Sequence, residues 1–111
     1  MKRVATSYLR TPDDRYFIVR DRLWRCSNPS LAGHERDRLV HALMTARRGV
    51  KSALASEDAR ALQKAREGVQ AAKVGLGERG DPWWEDGAPD FNRHLVKNTP
   101  YAAWHAALKA R

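Results

Sequence analysis

A single cysteine, Cys26, stands in the whole chain. An internal disulfide and a thiolate-built zinc site are thereby excluded, and a reduced cytoplasmic compartment is the simplest home for a lone thiol. No run of about 18 apolar residues is present either, so no stretch reads as a bilayer-spanning helix and no membrane insertion is expected. Mean hydropathy is −0.70 and 31% of the residues are charged. No apolar segment follows the basic Met1-Lys2-Arg3, so a secretory signal is not expected. The four histidines, His34, His41, His94 and His105, form no His-x-x-x-His pair, so the chain is expected to bind no metal and to need no cofactor. Gly75, Gly77 and Gly80 follow a helical pattern and not a strand. They match no Walker or dinucleotide loop, which leaves nucleotide hydrolysis and hydride transfer without apparatus. Helix-turn-helix, RNP and zinc-finger patterns are absent as well.

Acid is scarce. Against 21 Lys and Arg stand 13 Asp and Glu, a formal net charge of +8, and the pI is about 10.3. Such a balance favours polyanionic partners, nucleic acid among them. What is present in strength is tryptophan: four in 111 residues, with 42% of the residues hydrophobic. That supports one folded domain with a modest core. Residues 1–14 read as an N-terminal arm ending in the turn signal Thr11-Pro12-Asp13-Asp14, and residues 15–111 as a single globular domain.

Tyr16-Phe17-Ile18-Val19 and Leu23-Trp24 read as a β-hairpin turning at Arg20-Asp21. That register pairs Ile18 with Leu23 and Phe17 with Trp24, with apolar groups on both faces. A helix is expected over about 34–54 on the stripe Leu39, Leu43, Ala46, Val50, Ala53. A second, over about 57–76, carries Leu62, Ala65, Val69, Ala72, Leu76, with Ser56 as its cap. The short break between them implies an antiparallel helical hairpin. Gly77 and Gly80 stop it. A Trp-rich segment follows, then a short helical stretch near 89–97, then a C-terminal helix with Thr99 as N-cap and Pro100 in its first position. The fold class expected is α+β: a β-hairpin packed on an antiparallel helical hairpin, closed by the Trp-rich segment and a C-terminal helix.

Two stretches carry a resemblance. The segment Arg15-Tyr16-Phe17-Ile18-Val19-Arg20-Asp21-Arg22-Leu23-Trp24-Arg25 with Ser27-Asn28-Pro29 is one. The other is Glu78-Arg79-Gly80, Trp83-Trp84, Asp86-Gly87-Ala88-Pro89-Asp90, Asn92-Arg93-His94 and Lys97-Asn98-Thr99-Pro100-Tyr101-Ala102. Together they resemble the two signatures of a group of small bacterial proteins of uncharacterised activity, over nearly the whole chain. The resemblance implies no substrate or cofactor. Some members of that group are labelled envelope-transport components, a label that this chain's composition does not support. One departure is Asp21, where the group often has Gly.

Three sets of residues are candidates for function. Arg15, Arg20, Arg22 and Arg25 crowd the hairpin, and a ribbon carrying arginines and an aromatic can enter a groove or stack on bases. Charge on an edge ribbon is equally a guard against aggregation. Arg36, Arg47 and Lys51 fall within roughly a 60° arc of the first helix at ~100° per residue. The third set is Trp83, Trp84, Asp90, Asn92, Arg93 and His94, a polar and aromatic group. Asp86, Asp90 and His94 have the chemistry of acid–base or metal work, but Gly87 and Pro89 break any helix that would align them. Pro89 and Asp90 more simply start a helix. The two tryptophans are either a binding platform or plugs of the core, and at roughly 150–250 Å² each their burial favours the core for at least one. Cys26, beside Arg25, reads as a small packed residue. The function expected is a non-enzymatic basic binding module associated with nucleic acid. The alternative is a protein-interaction or regulatory adaptor using the helical hairpin or the Trp-rich segment. The oligomeric state is open.

Overall fold

The alternation of Tyr16-Phe17-Ile18-Val19 against Arg22-Leu23-Trp24-Arg25 becomes two paired strands. In the computed structural model, which describes residues 8–110, β1 (Tyr16–Val19) and β2 (Arg22–Arg25) run antiparallel. Phe17 lies opposite Trp24 and Ile18 opposite Leu23, the expected register. Arg20 and Asp21 both have positive φ, 52° and 66°. Two left-handed residues make a type I′ turn, whose twist matches that of the strands it joins. Asp21 occupies a position where glycine would be less strained.

The chain forms two compact units, one from the residues up to Cys26 and from Trp84 onward, the other from Ser27–Trp83. In the first, both edges of the hairpin are occupied. Thr11 N–H donates to the Tyr16 carbonyl and Ile18 N–H to that of Leu9, both at 2.9 Å, which sets Arg10 opposite Phe17. Along the other edge, Leu23 N–H donates to the His94 carbonyl, Arg93 N–H to that of Leu23 and Val96 N–H to that of Asp21, with Arg22 opposite Leu95. Of the expected arm, residues 9–11 therefore lie along β1, and residues 1–7 are outside the described residues. A bare hairpin is marginal in water; these flanking segments widen it into a surface with a buried side. Tyr16, Ile18, Leu23 and Val96 form its core, with Trp84, Phe91, Tyr101 and Trp104 packed against them.

The helix expected near 89–97 does not form. Residues 93–96 give their backbone groups to β2, which is incompatible with helical hydrogen bonding, and only one 3-10 turn follows at Val96–Asn98. The last helix, α3 (Ala102–Lys109), starts later than expected. Thr99 still serves its entry: its Oγ1 accepts the Tyr101 N–H at 3.2 Å and its carbonyl accepts the Ala102 N–H at 3.1 Å. These helices and strands make the fold α+β. Among the described residues, no helix is long and apolar enough to cross a membrane.

The second unit is the antiparallel helical hairpin α1 (Gly33–Ser56) and α2 (Ala59–Leu76). The break falls at Glu57 and Asp58, beyond the expected Ala55-Ser56. The Ser56 hydroxyl turns back to the Ser52 carbonyl at 3.1 Å and stays in α1, a bond that serines make readily within helices. Glu57 ends α1 in the left-handed region at φ 56°, and Asp58 caps α2 by accepting the Ala61 N–H at 3.0 Å. The expected stripes meet: Leu39, Leu43, Ala72 and Leu76 are buried together, with Leu31, Val40 and Val69 against them.

Glycines and alanines let the two helices approach. A Cβ at Gly68 would stand 3.1 Å from the Ala46 Cβ, one at Gly49 3.2 Å from that of Ala65, and one at Gly75 2.7 Å from Leu39 Cδ2. Gly75 thus belongs to the seam. Gly77 alone ends α2 as a left-handed cap at φ 88°. A Cβ there would also press on Asn28 and on the Trp83 ring, both 3.0 Å away. Gly68→Val is expected to destabilise the helical hairpin by roughly 1–3 kcal/mol through overpacking. Gly33→Ala, where nothing lies within 4 Å of the added Cβ, is expected to be neutral or mildly stabilising. Urea unfolding of both variants measures the contrast.

Candidate nucleic-acid interface

Period-two alternation divides the hairpin's arginines. Arg25 shares the inward face with Tyr16, Ile18 and Leu23, and it is 3% exposed. Its Nη1 donates to Asp90 Oδ2 at 3.2 Å, and its backbone N–H donates to Asn92 Oδ1 at 2.9 Å. Asp90 Oδ1 accepts the Tyr16 hydroxyl at 3.2 Å and the Asn92 N–H at 3.0 Å. The Tyr16 hydroxyl accepts the Phe91 N–H at 2.7 Å. Arg25, expected on the nucleic-acid surface, is therefore not available to a phosphate. Asp90 and Asn92, expected in a polar site, are joined to it in a structural knot.

Arg15 is also engaged. Its guanidinium is paired with Asp86 and lies 4.6 Å over the Trp84 ring. The Arg15 bond holds the Asp86 carboxyl below the usual carboxylate range. Burial pushes the Asp13 carboxyl up, but hydrogen bonds from Tyr101, Thr11 and the Arg15 N–H outweigh it and leave the group lowered. Burial raises the Tyr16 hydroxyl to about 12. Burial, followed by the bond to Asp13, raises that of Tyr101.

The paired tryptophans belong to separate units. Trp84 packs edge-on to Tyr16 and donates its Nε1–H to the Ala88 carbonyl at 2.8 Å. Trp83 lies against Gly77 at the end of α2. Both are partly buried. His94 is exposed, its ring edge-on to Phe91 at 5.8 Å, and Arg93 is exposed with φ 73°. Asp86, Asp90 and His94 do not converge on one another: the first two serve arginines. Among the described residues, no group of three His, Cys, Asp or Glu side chains could hold a metal ion.

On the helical hairpin, Arg47 and Lys51 are exposed and Arg36 is partly buried. Only Arg47 of the three lines a hollow of about 420 Å³, whose other lining residues are Val50, Arg66, Val69 and Arg79.

What remains on the outward face of the first unit is a coherent set. Phe17 and Trp24 lie across from each other, partly exposed and outside the core. Tyr8 stacks on Phe17 with ring centroids 5.8 Å apart and 21° between planes. Arg10, Arg20 and Arg22 are exposed around them. None of these arginines makes an ion pair among the described residues, and Arg22 donates only to the Arg93 carbonyl. Arg20 and Arg22 were legible from the sequence. Tyr8 and Arg10 were not, since nothing in an arm signals pairing with a strand. The outward parity of Phe17 and Trp24 was the signal for those two. Comparison with family models, with curated proteins and with solved structures gives no significant match.

The raised tyrosine hydroxyls give stability a pH dependence with a definite sign. A hydroxyl protonated more tightly when folded contributes fully below its unfolded value of 10.0 and loses that contribution as pH rises towards about 12. The melting temperature is expected to fall over this window, and more shallowly in Tyr16→Phe. Asp90→Ala strands a buried guanidinium and is expected to cost towards the low end of about 3–5 kcal/mol, because the Asp90 side chain is itself 30% exposed. Chemical denaturation at neutral pH measures that loss.

Proposed function

We propose that this protein is a non-enzymatic nucleic-acid-binding module that engages phosphates through the outward face of its β-hairpin. The observation that carries this reading is the division of the hairpin's arginines: Arg15 and Arg25 are matched to Asp86 and Asp90, while Arg10, Arg20 and Arg22 are exposed and form no ion pair among the described residues. Three like charges on one small surface repel one another, and a polyanion relieves that repulsion while releasing its own counterions. The net charge of +8 supports the same reading. A cytoplasmic location, where the lone Cys26 stays reduced and nucleic acid is abundant, belongs to the proposal.

The test is fluorescence anisotropy with labelled oligonucleotides over a salt series. Log affinity is expected to fall linearly with log salt, and replacing Arg10, Arg20 and Arg22 together with Ala should flatten that slope by roughly two to three units. Folding should be preserved, because exposed charges contribute little to stability. Absence of binding by the wild-type protein at low salt would overturn the reading, and a protein-interaction role for the helical hairpin would take its place. Unchanged binding by the triple variant would move the site to the hollow of Arg47, Arg66 and Arg79.

A further inference from the structure

We infer that the ligand of this face is a single strand, held by stacking of its unpaired bases on Tyr8, Phe17 and Trp24; the inference rests on the nucleic-acid reading and deepens it. The two faces of the hairpin are both apolar but have different fates. Tyr16, Ile18 and Leu23 are buried in the core, 0%, 8% and 0% exposed. Phe17 and Trp24, their sequence neighbours, point the other way and remain partly exposed, and Tyr8, 38% exposed, stacks on Phe17. Tyr8 is an exposed large hydrophobic residue, Phe17 and Trp24 keep part of their surface in water, and covering these rings with a ligand gains hydrophobic free energy.

The arrangement around these rings selects the ligand. Arg10 lies opposite Phe17 on one edge of the sheet, Arg22 lies opposite Val19 towards the other, and Arg20 sits in the turn. Tyr8 and Arg10 on the flanking segment, Phe17 on β1, and Trp24 and Arg22 on β2 set rings and cations side by side on one face, which matches a strand whose bases lie on the rings and whose phosphates run beside them. A duplex keeps its base faces stacked on one another, so it offers these rings nothing to stack on. A purely apolar partner would leave the three guanidiniums without counter-charges. A single strand satisfies both, and since every base has a π-face, the recognition tolerates sequence.

The experiment compares binding of the whole chain to labelled oligouridylate, oligothymidylate and a duplex of the same length, roughly twelve nucleotides each, over a salt series that starts at low salt. Single strands should bind roughly tenfold tighter than the duplex. Tyr8→Leu and Trp24→Leu should each weaken single-strand binding by roughly tenfold while leaving duplex binding and the salt slope unchanged. Tyr8 is on the surface, so its variant keeps the test valid should Trp24→Leu lower the melting temperature. Binding of only one of the two single strands would also support the inference and would show that the 2′-hydroxyl or the base methyl group is read. Equal or tighter binding of the duplex, or natively melting aromatic variants that bind single strands like the wild type, would overturn the stacking inference and leave the nucleic-acid reading standing. Failure to bind any of the three would remove both.

Discussion

A guanidinium drawn out of water needs a carboxylate, and much of the first unit is arranged around the pair that meets this need. Arg25 is almost wholly buried, and Asp90 reaches it from a segment more than sixty residues later, at a separation of |i−j| = 65. The same carboxylate takes the Tyr16 hydroxyl, and Asn92 takes the Arg25 N–H. These bonds fix the chain at residues 90–92 against the end of β2. From there residues 93–96 can follow the strand's open edge, and Val96 enters the core. Hydrogen bonds of this kind form a network whose members are worth more together than singly. Breaking such a buried pair is costly although forming it is not strongly favourable, so its main effect is to specify one pairing over others.

Matching of charges extends outward from that knot. Asp86 takes Arg15, Asp13 takes Tyr101 and Thr11, and Asp21 takes Lys109 at 3.0 Å. Each of these carboxylates joins segments distant in the chain or closes a local turn. With these acids so engaged, Arg10, Arg20 and Arg22 form no ion pair among the described residues. The net charge of +8 is therefore not spread evenly in its consequences: some arginines are structural cross-links and others are surface.

The helical hairpin was legible because its stripes recur at helical spacing and its connection is short. The β-hairpin was legible because two alternating runs flank a two-residue turn. Cap positions were not, since Ser56 and Asp58 are both good caps and only the structure shows which side chain reaches forward. Gly49 and Gly68 read in sequence as weak points in helices. Their role as close-approach positions exists only once Ala65 and Ala46 stand opposite. The helix expected near 89–97 failed because its alternative, pairing with β2, is a long-range contact that no local pattern reveals. Arg25 is a different case. Its parity with Leu23 already placed it on the inward face, but charge suggested the surface, and the partner that permits burial, Asp90, lies far away in the chain.

That case bears on how basic ribbons are read in general. Counting arginines on a strand gives a cluster of four, Arg15, Arg20, Arg22 and Arg25. Assigning each to a face and then asking which has a carboxylate removes two and leaves Arg20 and Arg22, and pairing at the strand's edge adds Arg10. The revised set has three members and not four, but it has a geometry: it lies beside Phe17, Trp24 and Tyr8. Cations alone would describe any polyanion. Cations bordering partly exposed aromatic rings describe a polyanion that also carries accessible π-faces. The proposed site therefore rests on the juxtaposition and not on the charge alone, and the inward knot of Arg25 with Asp90 fixes which face of the ribbon is left outward.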